Sequence, residues 1–314
     1  MLAPTESLVR MKHKHGSLAV LCGGLGGSRF VDSLRRVVGD ERLTAVVNVG
    51  DDVEVLGLHV SPDLDTVLYT LAGLLDEERG WGVRYETYGA LEMAERLGGE
   101  SWFTLGDRDL GLHLVRTSLL RTGRPLSEVT RHLCERLDVR TRLLPASDDP
   151  VRTVVETPAG DFPFQAWFVG RGHSDPVLGL RYEGAETARP APGVLDAIAA
   201  ADLVFLAPSN PFTSVLPILA VPGIREALAA KRVVAVSPLV GGRALRGPLA
   251  EMMASLGHEP GPRGIAGLYG DLVSDLVVDP ADVESVPEAL VAPIVMVEPA
   301  VREEVGKAVM EAVS

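Results

Sequence analysis

Apolar and polar positions fall in blocks along this chain, and the period of each block separates strands from helices. Leu18, Ala19, Val20 and Leu21 form an unbroken apolar run, the pattern of a buried strand, and Ser28, Arg29, Phe30, Val31 and Leu34 then follow helical spacing. "LTAVVNVGDD" is a second apolar run with a polar end, and "DTVLYTLAGLL" is a second helix with Asp65 near its start. Three amphipathic helices come next, in "YGALEMAERLG", "DLGLHLVRTSLLRTG" and "LSEVTRHLCERLD". "RTVVETPAGDFPFQAWFVG" reads as two strands about a Pro-Ala-Gly turn. "GVLDAIAAADLVFLAPSNP" and "KRVVAVSPLVGG" return to buried strands with polar ends, "VSDLVVDP" and "APIVMVEP" add edge strands, and a last helix starts at Val301. Strands alternating with helices predict an α/β chain whose mostly parallel sheet is flanked by helices and interrupted by a largely helical insertion. The expected division is a disordered extension over 1–17, a first core part over 18–79, an inserted subdomain of helices plus a β-hairpin over 80–185, and a second core part over 186–314.

Length and composition narrow the function classes. The 314 residues suffice for one large domain with an insertion or two modest ones. Hydrophobic residues make up 46% of the chain, yet charges break every apolar run well short of the roughly 20 residues of a membrane span. A net charge of −13 disfavours nucleic acid and anionic membrane surfaces as partners, leaving a small ligand in a locally positive pocket. Cys22 and Cys134 form no disulfide framework and match no zinc spacing, so they read as core thiols of a cytoplasmic protein. The first seventeen residues lack a signal-peptide pattern, and His13 and His15 read as part of a flexible tail.

In parallel sheets ligands bind beyond the carboxyl ends of the strands, so the polar strand ends are expected to gather there. The first is "CGGLGGSRF", where Gly23, Gly24, Gly26 and Gly27 lead into Ser28 and Arg29. Glycine permits close approach of a ligand to bare amides, and a strand, glycine loop and helix in succession suits phosphate. The loop matches neither standard motif. Laying GxGxxG over Gly24 and Gly26 puts the third glycine at Arg29, and the chain's lysines, Lys12, Lys14, Lys231 and Lys307, all lie away from the loop. A plain tight turn is the structural alternative. The second strand end carries Asn48, Asp51 and Asp52, followed by Asp63 and Asp65; paired acids beside a phosphate point to a divalent cation such as magnesium, while a helix cap explains either Asp63 or Asp65 taken singly. Ser209, Asn210 and Pro211 in "APSNP" suit a base or sugar contact or an ordinary turn. In "GDRDLGLHLVR", helical spacing brings Asp109, His113 and Arg116 to one face, as an exposed ion-pair network or as an acceptor site, with Asp107 and Arg108 just before.

Taken in order, "GGLGGSRF", "VVNVGDD", "PDLDTVLYTL", "RGWG", "LGDRDL" with "HLVR", "LLPASDDP", "APSNP" and "SPLVGG" resemble the 2-phospho-L-lactate transferase family of coenzyme F-420 biosynthesis. The resemblance implies a Rossmann-like homodimer that moves a phospho-acid from its guanosine diphosphate conjugate to the ribityl hydroxyl of the deazaflavin Fo, releasing GMP. It assigns the glycine loop (Gly23, Gly24, Gly26, Gly27, Ser28, Arg29) and Ser209, Asn210 and Pro211 to the nucleotide. Mg2+ falls to Asp52 and Asp65, with Asp51 and Asp63 as supporting or alternative ligands; Asp51, Asp63 and His113 are the catalytic candidates, His113 or an aspartate being the base. The insertion becomes the acceptor-binding part, through Asn48, Trp81, Asp107, Arg108 and Arg116, with Trp81 either stacking on the deazaflavin or packing. Phosphoenolpyruvate is the favoured phospho-acid, with 2-phospho-L-lactate beside it. A nucleotide-sugar-binding regulator with the same core is the rival reading, and a nicotinamide dehydrogenase is disfavoured by the broken GxGxxG.

Overall fold

Leu18 to Leu21 pair in parallel on both sides, with Leu43–Val46 and with Leu203–Leu206, which is why this run carries no polar residue. The computed structural model describes residues 16–314, so the reading of the tail with His13 and His15 lies outside the described residues. The chain begins with β1 (Leu18–Cys22), α1 (Gly24–Val38) and β2 (Leu43–Val47), then a short antiparallel pair, β3 (Val53–Val55) and β4 (Leu58–Val60), and α2 (Pro62–Leu71). The three amphipathic segments form α3 (Gly89–Arg96), α4 (Asp107–Arg121) and α5 (Leu126–Arg136). After them come β5 (Arg142–Pro145), β6 (Arg152–Thr157), β7 (Gly160–Pro163) and β8 (Gly179–Glu183). The chain continues through α6 (Val194–Ala200), β9 (Leu203–Leu206), α7 (Leu216–Leu219), α8 (Ile224–Leu228) and β10 (Val233–Val236). It ends with the hairpin β11 (Leu239–Val240) and β12 (Arg243–Ala244), α9 (Leu249–Ser255), α10 (Pro262–Tyr269), β13 (Asp275–Val278), β14 (Leu290–Val291) and α11 (Arg302–Ala312).

Seven strands make one all-parallel sheet in the order β14-β13-β10-β9-β1-β2-β5. This is a Rossmann-like α/β architecture with helices flanking the sheet. The chain leaves β1 toward β2 and β5 and returns to its other side at β9, so the strand order reverses between β1 and β9. α11 packs on α1 so closely that a Cβ on Gly306 would lie 2.4 Å from the Ser33 carbonyl oxygen. No helix among the described residues is long and apolar enough to cross a membrane, and Cys22 and Cys134 are both free and buried.

Three local readings need correction. β5, within the stretch 80–185 read as an insertion, is the edge strand of the main sheet. The β6–β7 hairpin acquires a third antiparallel strand, β8, and the aromatic half of the expected second strand winds instead into a π-helical turn over Ala166–Gly170. "APIVMVEP" lies after β14 rather than forming a strand; its Ile294 and Met296 are buried side chains.

Candidate active site

The reversal of strand order opens a crevice at the carboxyl ends of β1 and β9. A cavity of about 790 Å³ fills it, within the size range of small-molecule sites. Gly23, Gly24, Gly26, Arg29, Asp51, Asp63, Asp65, Trp81, His113, Ser209 and Asn210 all line it, from strand ends and loops far apart in sequence. Gly27, Ser28, Asn48, Asp52, Asp107, Arg108, Arg116 and Pro211 do not, and act from behind the wall or elsewhere.

The glycines form the first turn of α1 rather than a free loop, starting at Gly24 with φ of 59°. Their smallness lets two segments close on each other. A Cβ on Gly26 would stand 2.2 Å from the Pro208 carbonyl oxygen, and one on Gly27 would stand 2.6 Å from Ser209 Oγ. Ser209 Oγ donates to the Gly23 carbonyl at 2.8 Å, locking "APSNP" to the loop. Ser28 donates to the Leu25 carbonyl and is fully buried, so it holds the turn. Asn210 accepts from the Phe212 amide at 3.0 Å and caps the turn that Pro211 begins.

Asn48 organises the acids. Its side-chain amide donates to Asp63 Oδ2 (2.9 Å), to the Thr213 carbonyl (2.8 Å) and more weakly to Asp51 Oδ1 (3.3 Å), while its oxygen accepts from the Gly50 amide. Asp63 Oδ1 accepts from the Gly24 amide at 2.7 Å, and Asp51 Oδ2 accepts from Gln165 at 3.3 Å. Burial pushes the Asp63 carboxyl up to about 7; the donors from Asn48 and Gly24 offset part of this, and the charges of Asp52 and Asp65 add to it. Asp51 is raised as well, first by burial and then by the charge of Asp63. Asp52 sits just behind, its Oδ2 held by His59 (3.0 Å) and Ser61 (3.0 Å), its Oδ1 buried without a hydrogen-bond partner.

Asp65 is bound by the guanidinium of Arg116 through two nitrogens, one at 2.9 Å, and by the Ser61 amide at 3.3 Å. The ion-pair network on α4 is therefore buried, not exposed: Asp109, His113 and Arg116 are each at most 8% accessible. Arg116 Nη1 lies 3.3 Å from His113 Nδ1, and His113 Nε2 lies 3.1 Å from Asp109 Oδ1 yet is buried without a hydrogen-bond partner. Tyr69 donates to the same Asp109 oxygen at 2.5 Å. Burial alone would raise Asp109; His113, Tyr69 and Arg116 together hold it below its ordinary value.

Asp107 stands outside the cavity wall and accepts from Thr87 Oγ1 (2.6 Å), the Ala90 amide (2.9 Å) and the Gly89 amide (3.1 Å), capping α3. Arg108 lies beside it, its amide bound by Glu86. Trp81 lies at the cavity wall with 44% of its surface open and the Arg79 guanidinium 5.8 Å from its ring centroid. Sequence reasoning did not single out Gln165, Tyr69, His59, Ser61 or Glu77, although Ser61 directly precedes "PDLDT" and Tyr69 lies within "PDLDTVLYTL".

Among the described residues no three His, Cys, Asp or Glu side chains stand ready to hold a metal ion. That donor set still suits magnesium, which typically takes one or two carboxylates and completes its shell with phosphate oxygens and water. Asp51 and Asp63 face the cavity as such a pair, each oxygen meeting only a neutral N–H donor, whereas both oxygens of Asp65, on the same wall, are held by the charged Arg116 guanidinium.

The fold and this site define a Rossmann-like α/β protein with a cavity lined by a glycine turn beside buried carboxylates. The family model described as 2-phospho-L-lactate transferase CofD matches residues 18–310, and the chain belongs to that family of transferases. It is 43% identical over 283 residues to the phosphoenolpyruvate transferase of Thermobifida fusca, covering 86% of this chain and 88% of that one. It is 41% identical over 277 residues to the 2-phospho-L-lactate transferase of Methanopyrus kandleri, covering 87% and 89%. A crystal structure of a Bacillus halodurans protein of the upf0052 family shares the fold, with a TM-score of 0.56 at 22% identity over 85% of this chain and 81% of that one.

Proposed function

We propose that this protein transfers phosphoenolpyruvate, or 2-phospho-L-lactate in its place, from a guanosine diphosphate conjugate to the ribityl hydroxyl of Fo. The ribityl oxygen attacks the phosphorus that bears the acid, the diphosphate bridge breaks, the hydroxyl proton passes to the departing phosphate, and GMP leaves. The observation that carries this reading is the pair of buried carboxylates, Asp51 and Asp63, facing the cavity directly beside the amide end of α1. Two acids and a diphosphate repel one another unless a cation lies between them. Mg2+ held by Asp51 and Asp63 would neutralise the diphosphate and the charge that develops on transfer.

The chain's own residues then position the reactants. The first turn of α1, with Ser209 and Asn210, receives the nucleotide. Trp81, Phe164 and Phe168, all on the cavity wall, offer flat apolar surface to the deazaflavin ring. Attack on a diphosphate relies on alignment and charge neutralisation more than on a strong base. The roles of Asp107 and Arg116 are then to hold the acceptor wall in shape, through the α3 cap and the Asp65 pair.

Titration with Fo, followed by deazaflavin fluorescence with and without magnesium and GDP, tests the reading. Saturable binding that Trp81→Ala weakens supports it. GDP or nucleotide-sugar binding with no Fo binding under any condition favours the regulator instead.

A further inference from the structure

Arg29, on α1 seven residues after the end of β1, is only 7% accessible yet lines the cavity. Its Nη2 donates to Glu77 Oε2 at 2.9 Å, and its Nε is buried with no hydrogen-bond partner. Glu77 is shared. Its other oxygen accepts from Nη2 of Arg302 at 2.6 Å, and Arg302, 2% accessible, comes from α11 at the far end of the chain. Arg302 also reaches Asp32 Oδ2 at 3.1 Å and the Met296 carbonyl at 3.3 Å. Asp32 in turn holds Arg35 and Arg36, with Arg35 also 3.9 Å from Asp40. Four guanidinium groups thus surround the two carboxylates of Glu77 and Asp32. Arg246, whose guanidinium donates to the Arg79 carbonyl at 2.5 Å, adds a further positive charge to the same wall, against Glu78 and Glu298 elsewhere on it.

We propose that Arg29 is an anion subsite for a phosphate or carboxylate oxygen of the substrate, and that Arg302 is its positioning residue, keeping Glu77 from neutralising it. A carboxylate alone with an arginine closes on it through both oxygens. Arg302 takes one of those oxygens away, so Arg29 keeps donor capacity and net positive field toward the cavity. The close α1–α11 packing at Gly306 holds the two arginines in register across the shared carboxylate. The inference rests on the reading of this cavity as a phosphate site and not on the identity of donor or acceptor.

The test is calorimetric binding of inorganic pyrophosphate, with magnesium, to the full-length protein and its variants. Arg302→Met should weaken binding about tenfold, the loss of one charge-assisted contact. Glu77→Gln alone should tighten it several-fold, and the double variant Arg302→Met/Glu77→Gln should return to wild-type affinity or better. Arg29→Met should weaken binding without rescue by Glu77→Gln. Neutralising Glu77 also relieves a purely structural loss of Arg302, so the single variants decide in folded protein: Glu77→Gln that fails to tighten binding overturns the proposal, as does wild-type affinity in Arg302→Met. Should Arg302→Met not fold, Glu77→Gln decides by itself: no tightening overturns the proposal. Because pyrophosphate replaces the donor, a transferase reading that fails leaves this result interpretable.

Discussion

The Gly24 amide donates to Asp63 Oδ1 at 2.7 Å, so a carboxylate already sits at the helix terminus where a phosphate is ordinarily received. Asp63 and an incoming diphosphate therefore compete for one positive end unless a cation joins them. Replacing Asp63 by asparagine separates the two effects. Transfer should fall by roughly 100-fold or more, the scale of losing a group that stabilises developing charge, while GDP binding in chelator should tighten. Calorimetry in EDTA checks the second outcome, and weaker GDP binding would contradict it.

The same residue makes stability depend on pH. The Asp63 carboxyl is raised from 3.8 to about 7 in the folded chain, chiefly by burial. Between those values the folded form keeps a proton that the unfolded form has lost, so this term erodes stability as pH rises from about 4 to about 7 and levels off above. Asp63→Asn removes it. The melting temperature of the wild type relative to the variant should therefore drop between pH 5 and pH 8 in chelator, and a difference independent of pH would refute the assignment.

Arg116 and Asp65 form a buried ion pair whose loss leaves a carboxylate stranded. Arg116→Met should cost about 3–5 kcal/mol in urea denaturation, with much of that recovered when Asp65→Leu is added. A cost near zero for the single variant would mean that Asp65 finds another partner.

Gly26 touches the strand-end loop of β9. Gly26→Ala forces a methyl group toward the Pro208 carbonyl, a contact that only backbone displacement relieves. The variant should fold, since the contact lies at the rim of the sheet, and should lose GDP affinity by tenfold or more; equilibrium dialysis against GDP measures it.

The main sheet was legible because β1, β9 and β10 are buried on both faces and read as uninterrupted apolar runs, with β2 broken only by Thr44. The glycine loop, the two acid pairs and "APSNP" were legible because they terminate those runs. What the sequence left ambiguous were relations that spacing does not encode. Asp109, His113 and Arg116 share a helical face whichever way it points, and only tertiary packing decides that the face is buried. Asp107 caps a helix that starts 18 residues earlier. Glu77 and Arg302 lie 225 residues apart, and no local pattern announces their contact. Asp52 and Asp65, given the metal with Asp51 and Asp63 in support or as alternative ligands, differ from that second pair through the neighbours each carboxylate meets.

The most direct measurement is GMP release from Fo mixed with the guanosine diphosphate conjugates of phosphoenolpyruvate, 2-phospho-L-lactate and phosphoglycerate, with magnesium or with chelator. The account predicts stoichiometric release of GMP and the phosphodiester-linked Fo product, fastest with phosphoenolpyruvate, abolished by chelator and by Asp51→Asn. Binding of the conjugates without release of GMP from any of them would contradict it.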